Sequence, residues 1–176
     1  MHTTTQASKK AVKQGQVESQ GATSAAMPAP SARPTEMGTE AALLLAQARN
    51  AAFVEAAHGR LGLGMSMLKQ ALEQTPMSHD LMSDLAALLL SAGELAQAAT
   101  YAKRALELHP HHGPSLYTLG FACSGLGKTL QAQKTLRHLL RLEPLAMDSL
   151  LDEAPDLLPV AEAELARLNS LLGLGD

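Results

Sequence analysis

From Thr39 onward, apolar residues recur at steps of three and four, the spacing that gathers them on one face of an α-helix. In 94–108 the apolar set is Leu95, Ala98, Ala99, Ala102, Ala105 and Leu106. The pattern predicts a succession of amphipathic helices, punctuated at a fixed interval. Pro76, Pro110 and Pro144 lie 34 residues apart, and so do Gly59, Gly93 and Gly127, and Leu72, Leu106 and Leu140. Proline cannot donate the next hydrogen bond and restricts the residue before it, so each proline is expected to end a helix. Each glycine falls midway between prolines, where a tight turn between antiparallel helices needs an open backbone. The unit is helix, glycine turn, helix, proline stop, and a period of this length marks a helical solenoid.

The two ends depart from the period. Residues 1–38 are rich in Ser, Thr, Gln, Ala and Pro, with Pro28, Pro30 and Pro34. They offer too little apolar surface to offset their ordering entropy and are expected to form a disordered tail. Beyond Pro144, Asp148 to Glu153 can begin a helix that Pro155 stops. Residues 157–172 then form an amphipathic pattern with Leu158, Ala161, Leu165, Leu168 and Leu172 on one face and Gly173 as C-cap. A solenoid must cover its last open face, and this segment is the expected cap. Segment 147–176 has seven acidic residues and one basic, against four basic and one acidic in 113–146. Charge is therefore expected to help hold the cap to the third unit.

Composition narrows the class. The chain is 46% apolar but only 2% aromatic, with no Trp, two Phe and two Tyr. Ala and Leu must fill the interior, which suits closely spaced helices better than a β-sandwich. The net charge of −3 argues against general nucleic-acid binding. A single cysteine, Cys123, excludes an internal disulfide and fits a reducing compartment. No apolar run approaches the ~20 residues that span a bilayer, and the first residues lack the apolar stretch of a secretory signal. A cytoplasmic location is expected.

The units resemble tetratricopeptide repeats. Unit 79–112 has Leu85, Ala86, Leu89, Gly93, Ala98, Ala105 and Pro110 at matching places, with Met82 where Trp is usual. Unit 113–146 has Leu116, Leu119, Gly120, Gly127, Ala132 and Pro144, with Cys123 in place of Tyr. Unit 45–78 is degenerate: Ala48, Ala51, Ala52, Gly59, Ala71 and Pro76 fit, but Gly64 replaces the packing Ala. The expected organisation is a 1–38 tail, three repeats within 39–146 and a 147–176 capping segment. The fold class is all-α.

The resemblance implies a function in holding another polypeptide, with the first helix of each unit lining a concave groove. It places Ala46, Arg49, Asn50, Phe53 and Ala56 there from the first unit, and Asp80, Ser83, Asp84, Ala87 and Leu90 from the second. Pro114, Tyr117, Thr118, Phe121 and Ser124 follow from the third. Three of the four aromatic residues fall on these places, where rings serve as anchors for a partner. The alternative is that they pack between helices. Some members of the family grip an acidic tail with a basic clamp. Of its places, filled here by Arg49, Phe53, Asp84, Pro114 and Thr118, only Arg49 conforms, and Asp84 repels a carboxylate. An apolar or amphipathic client segment is expected instead.

Other motifs are weaker. Ser124-Gly125-Leu126-Gly127-Lys128-Thr129 ends like a phosphate-binding loop, but Ala122 occupies the place of its first glycine and a helix, not a strand, precedes it. His109-Pro110-His111-His112, with His79 and His138 as neighbours, has no carboxylate or thiolate at ligand spacing and reads as a solvated polar turn. No metal or cofactor is expected. Cys123 sits at a packing place. Gly62 and Gly64 are expected to weaken their helix. With no catalytic constellation, an enzyme is not expected. In length, acidity and Leu119-Gly120-Phe121-Ala122-Cys123, the chain resembles the tetratricopeptide chaperones of bacterial type III secretion. A general assembly adaptor is the alternative, and a regulatory subunit of an enzyme the rival class.

Overall fold

The computed structural model describes residues 34–174. The tail expected over 1–38 falls mostly outside the described residues. The described chain forms eight α-helices: α1 Pro34–Ala57, α2 Leu61–Gln74, α3 His79–Ser91, α4 Leu95–Leu108, α5 Gly113–Gly125, α6 Thr129–Arg137, α7 Pro144–Glu153 and α8 Leu158–Leu171. Helix α1 thus begins five residues before Thr39. Odd-numbered helices pack side by side, α3 on α5 and α5 on α7, and α1, α3 and α5 each also pack on the even-numbered helix that follows.

The periodic glycines act as turn residues. Gly59, Gly93 and Gly127 adopt φ of 79°, 77° and 72°, and Gly173 closes α8 at 66°. A side chain there meets the left-handed penalty, which glycine avoids. Pro76 and Pro110 each follow a helix end by two residues, as expected. Pro144 does more, because it opens α7 as its first residue. Its fixed φ suits that place, where no N–H is needed. The third inter-repeat turn is correspondingly tight. It is preceded by a π-helical turn, His138–Leu142, closed by Glu143 N–H to the His138 carbonyl at 3.1 Å. This turn brings the adjacent Leu139 and Leu140 both inside.

Alanine and leucine fill the core, as composition required. Leu68, Leu81, Leu85, Leu136, Leu139 and Leu150 are fully buried, with Ala98, Ala102, Ala105, Ala122, Ala132 and Ala161 between them. Cys123 is buried among them, and burial raises its thiol pKa. Small residues permit close helix approach, and the glycines permit more. A Cβ at Gly64 would stand 2.5 Å from the Ala52 carbonyl oxygen, and one at Gly113 2.4 Å from that of Ala146. Gly64 therefore corrects the expectation of a defect: α2 lies on α1 so closely that alanine does not fit. Gly62, with nothing within 4 Å, keeps the expected role of a helix weakener.

The C-terminal segment caps the solenoid. Ala161, Leu165 and Leu168 are buried, and Leu158 and Leu172 half-buried, against α6 and its surroundings. The charge expectation is corrected. Among the described residues, no ion pair joins Lys128, Lys134, Arg137 or Arg141 to this helix. The polar links are Gln133 Nε2 donating to Asn169 Oδ1 at 3.0 Å, Ser124 Oγ donating to the Glu164 carboxylate, and Arg167 donating to Ser124 Oγ at 2.8 Å. These four cations keep their hydration instead.

Candidate functional site, a concavity lined by first helices

The odd-numbered helices enclose a concavity of about 450 Å³. Arg49 and Phe53 reach it from α1, Ser83, Asp84, Ala87, Leu90 and Ser91 from α3, and Pro114, Tyr117 and Thr118 from α5. Glu153, Ala154 and Leu157 close one side from the break between α7 and α8. The structure thus brings together Arg49, Phe53, Ser83, Asp84, Ala87, Leu90, Tyr117 and Thr118.

Ala46, Asn50, Ala56, Asp80, Phe121 and Ser124 do not line the concavity. Asn50 is exposed on α1. Phe121 lies half-buried behind Tyr117, its ring stacked at 4.4 Å between centroids and 30° between planes. Both rings belong to α5 and pack partly against the core. Ser124 is occupied by the cap, its hydroxyl donating a hydrogen bond to Glu164 and accepting one from Arg167 at 2.8 Å. Those same contacts, Arg167 first and then Ser124, lower the Glu164 pKa. Tyr117 is half-buried, and burial and the Glu164 charge raise its phenol pKa, so the hydroxyl stays neutral.

The floor is polar but self-satisfied. Arg49 donates through Nε to Asp84 Oδ2 and through a terminal nitrogen to Oδ1 at 3.2 Å. Its other terminal nitrogen stands 3.6 Å from Asp80 Oδ1. Asp84 is 8% exposed, and burial pushes its carboxyl pKa upward against the opposing pull of the guanidinium. The walls carry the apolar Phe53, Ala87, Leu90, Tyr117 and Leu157 beside the polar Ser91, Thr118 and Glu153, and Phe53 is 40% exposed.

Residues 153–157 were not placed at the concavity by sequence. They follow the last repeat, and Pro155 signals only that a helix stops there. The visible trace is the length of α7: at ten residues it ends before it can cover the groove, and the chain turns across the opening.

The histidine turn also needs correction. His112 is 2% exposed and caps α5, its Nδ1 accepting from Ser115 N–H at 3.3 Å. Ser78, 34 residues earlier, caps α3 in the same way through its hydroxyl, accepting from Leu81 N–H at 3.3 Å. The ring stands where the preceding unit uses a serine. The 124–129 segment forms the α5–α6 turn with no strand before it.

Helix pairs of 34-residue period, left-handed glycine turns and a groove lined by first helices define a tetratricopeptide-repeat solenoid. The family model of the tetratricopeptide repeat matches residues 89–154. No curated protein sequence matches the chain. Among solved structures, the chain is similar to the Sgt2 TPR domain from Aspergillus fumigatus, with a TM-score of 0.60 at 16% identity over 72% of this chain and 78% of that one. It is also similar to the second TPR domain of the human RPAP3 protein in complex with the HSP70 peptide SGPTIEEVD. That match has a TM-score of 0.56 at 16% identity over 69% of this chain and 91% of the other. At this identity the likeness establishes the shared fold alone. Among the described residues, no helix is long and apolar enough to cross a membrane.

Proposed function

We propose that the protein is a non-catalytic binding module whose groove holds an apolar or amphipathic segment of a partner polypeptide. One observation carries this reading: the concavity offers Phe53, Ala87, Leu90, Tyr117 and Leu157 to a partner, while Arg49 is already held by Asp84 and faces Asp80. The RPAP3 domain is in complex with a peptide that ends in two glutamates, a valine and an aspartate. Here the groove's guanidinium is neutralised and Glu153 stands at its wall, so a peptide of that charge is disfavoured. Apolar burial is the available source of affinity.

The test is capture of partners from native lysate, followed by affinity measurement with a synthetic peptide from the captured partner. Phe53→Ala and Tyr117→Ala should each weaken that peptide by at least about tenfold, with little change on adding salt. Normal binding by both variants, together with loss of binding in Arg49→Ala, would show that the groove works by charge. The captured partner also separates the finer readings. An exported client held by its extended segment supports a chaperone of the type III secretion kind, and a resident complex subunit supports an assembly adaptor.

A further inference from the structure

Three imidazoles from two successive inter-repeat turns meet beside the groove. His79 lies at the start of α3, and His109 and His112 flank the turn between α4 and α5. Ring centroids are 4.8 Å apart for His79 and His109, 5.2 Å for His79 and His112, and 5.8 Å for His109 and His112. Two carboxylates face these rings. Asp80 Oδ1 is 3.5 Å from His79 Nε2, and Glu153 Oε2 is 3.2 Å from His112 Nε2. One ligand atom from each of His79, Asp80 and His112 lies within 4.8 Å of the others.

These separations suit a metal ion. Zinc bound at about 2.0–2.1 Å in a tetrahedron holds neighbouring donor atoms ~3.3 Å apart. The two close pairs already stand near that value. The wider separations must contract, and His79 and Asp80, both half-exposed, have room to rotate. His112 is buried and fixed, with Nδ1 2.8 Å from Ser115 Oγ. To ligate through Nε2 the ring must carry its proton on Nδ1, which then donates to that hydroxyl in place of accepting from the Ser115 N–H, so metal binding exchanges the α5 cap for this hydrogen bond. A hydrogen bond on the far nitrogen is how a metal-binding imidazole is commonly oriented. Two carboxylates balance a divalent charge, and imidazole donors favour the zinc and nickel class over magnesium or calcium. Arg49 stands 3.6 Å from Asp80 Oδ1, beyond a hydrogen bond, and is held by Asp84. Asp80 is not committed to it.

We propose that His79, Asp80 and His112 bind one divalent transition-metal ion of the zinc or nickel class, with Glu153 as the fourth donor. The ion ties the starts of α3 and α5 to the end of α7. Because Glu153 also walls the groove, metal binding stiffens that wall.

The test uses the untagged full-length chain, dialysed against zinc chloride, with bound metal quantified and melting followed by circular dichroism. The expected result is one equivalent of zinc and a melting temperature that rises with zinc concentration. Cobalt(II) should give visible ligand-field bands from histidine coordination. His79→Ala and Asp80→Asn should keep the helical spectrum, weaken zinc at least tenfold and lose the melting shift at equal zinc. His58→Ala, an exposed histidine on the α1–α2 turn, should behave as wild type. His112→Ala also removes the α5 cap, so His79→Ala and Asp80→Asn decide. Failure of the wild type to bind zinc or nickel stoichiometrically overturns the proposal, as does equal affinity in wild type and His79→Ala.

Discussion

Arg49 and Asp84 show how one pair can decide what a groove accepts. Both belong to the floor of the concavity, and each removes the other from the surface available to a partner. Removing Arg49 leaves a buried carboxylate without its counter-ion. Arg49→Ala is expected to cost about 1–3 kcal/mol in urea at pH 7. The sign of the pH dependence follows from burial. An acid whose folded pKa is raised is held in protonated form more tightly by the folded state than by the unfolded one. Its penalty is absent below the unfolded value and grows as pH rises through the folded one. The variant should therefore recover toward wild type as pH falls through the carboxylate range. A cost that stays constant with pH would assign the loss to the packing of the arginine stem. The two rings of α5 divide in the same way. Tyr117→Ala should reduce partner affinity directly. Phe121→Ala should act mainly on stability, read as a lowered urea midpoint, because its ring backs Tyr117 and does not line the groove.

Among the elements, α2 is the most informative, because its two glycines have opposite consequences. Gly64 is where α2 touches α1, and an added methyl meets backbone, which cannot swing aside as a side chain does. Gly64→Ala is expected to destabilise by about 1–3 kcal/mol. Gly62 is exposed, with nothing within 4 Å of an added Cβ. Gly62→Ala should stabilise by about 0.5–1 kcal/mol, through helix propensity and a less flexible unfolded chain. Equal effects in chemical denaturation would contradict the close approach. The second helix of the middle unit makes the same point with larger substitutions. Ala98→Leu or Ala105→Leu overpacks a site that is fully buried, at roughly 1–3 kcal/mol, whereas Ala87→Leu projects into the groove and should cost much less.

For the molecule as a whole, stability depends on closing the end of the stack. Helix α8 buries Ala161, Leu165 and Leu168 on α6 and its surroundings, and it is cross-linked to the third repeat by hydrogen bonds of Ser124 with Glu164 and Arg167 and of Gln133 with Asn169. Leu168, at 1% exposed, has no room to be replaced without a cavity. Leu168→Ala should cost about 2–5 kcal/mol. Because α8 also follows directly from the segment that walls the groove, partner affinity should fall with it. A variant that loses stability yet binds its partner as tightly as wild type would separate the cap from the site.

The period of 34 residues, the left-handed glycines and the Ala–Leu core were legible in the sequence because each follows from local rules. Backbone freedom at Gly93, the missing donor at Pro110 and apolar spacing along 94–108 act over a few residues and repeat unchanged. A repeat carries its register from unit to unit, so many of the expected places on α1, α3 and α5, among them Arg49, Asp84 and Tyr117, meet at the concavity, while Asn50, Phe121 and Ser124 do not. The tertiary structure decided what the repeat does not encode. Contacts between residues 35 to 41 apart tie Arg49 to Asp84, Ser124 to Glu164 and His112 to Glu153, and no local pattern announces them. They arise because stacking each unit on the last brings side chains of different helices to one spot. There charge, burial and space are settled jointly, so that an arginine is neutralised, a serine is covered and a buried histidine faces a carboxylate.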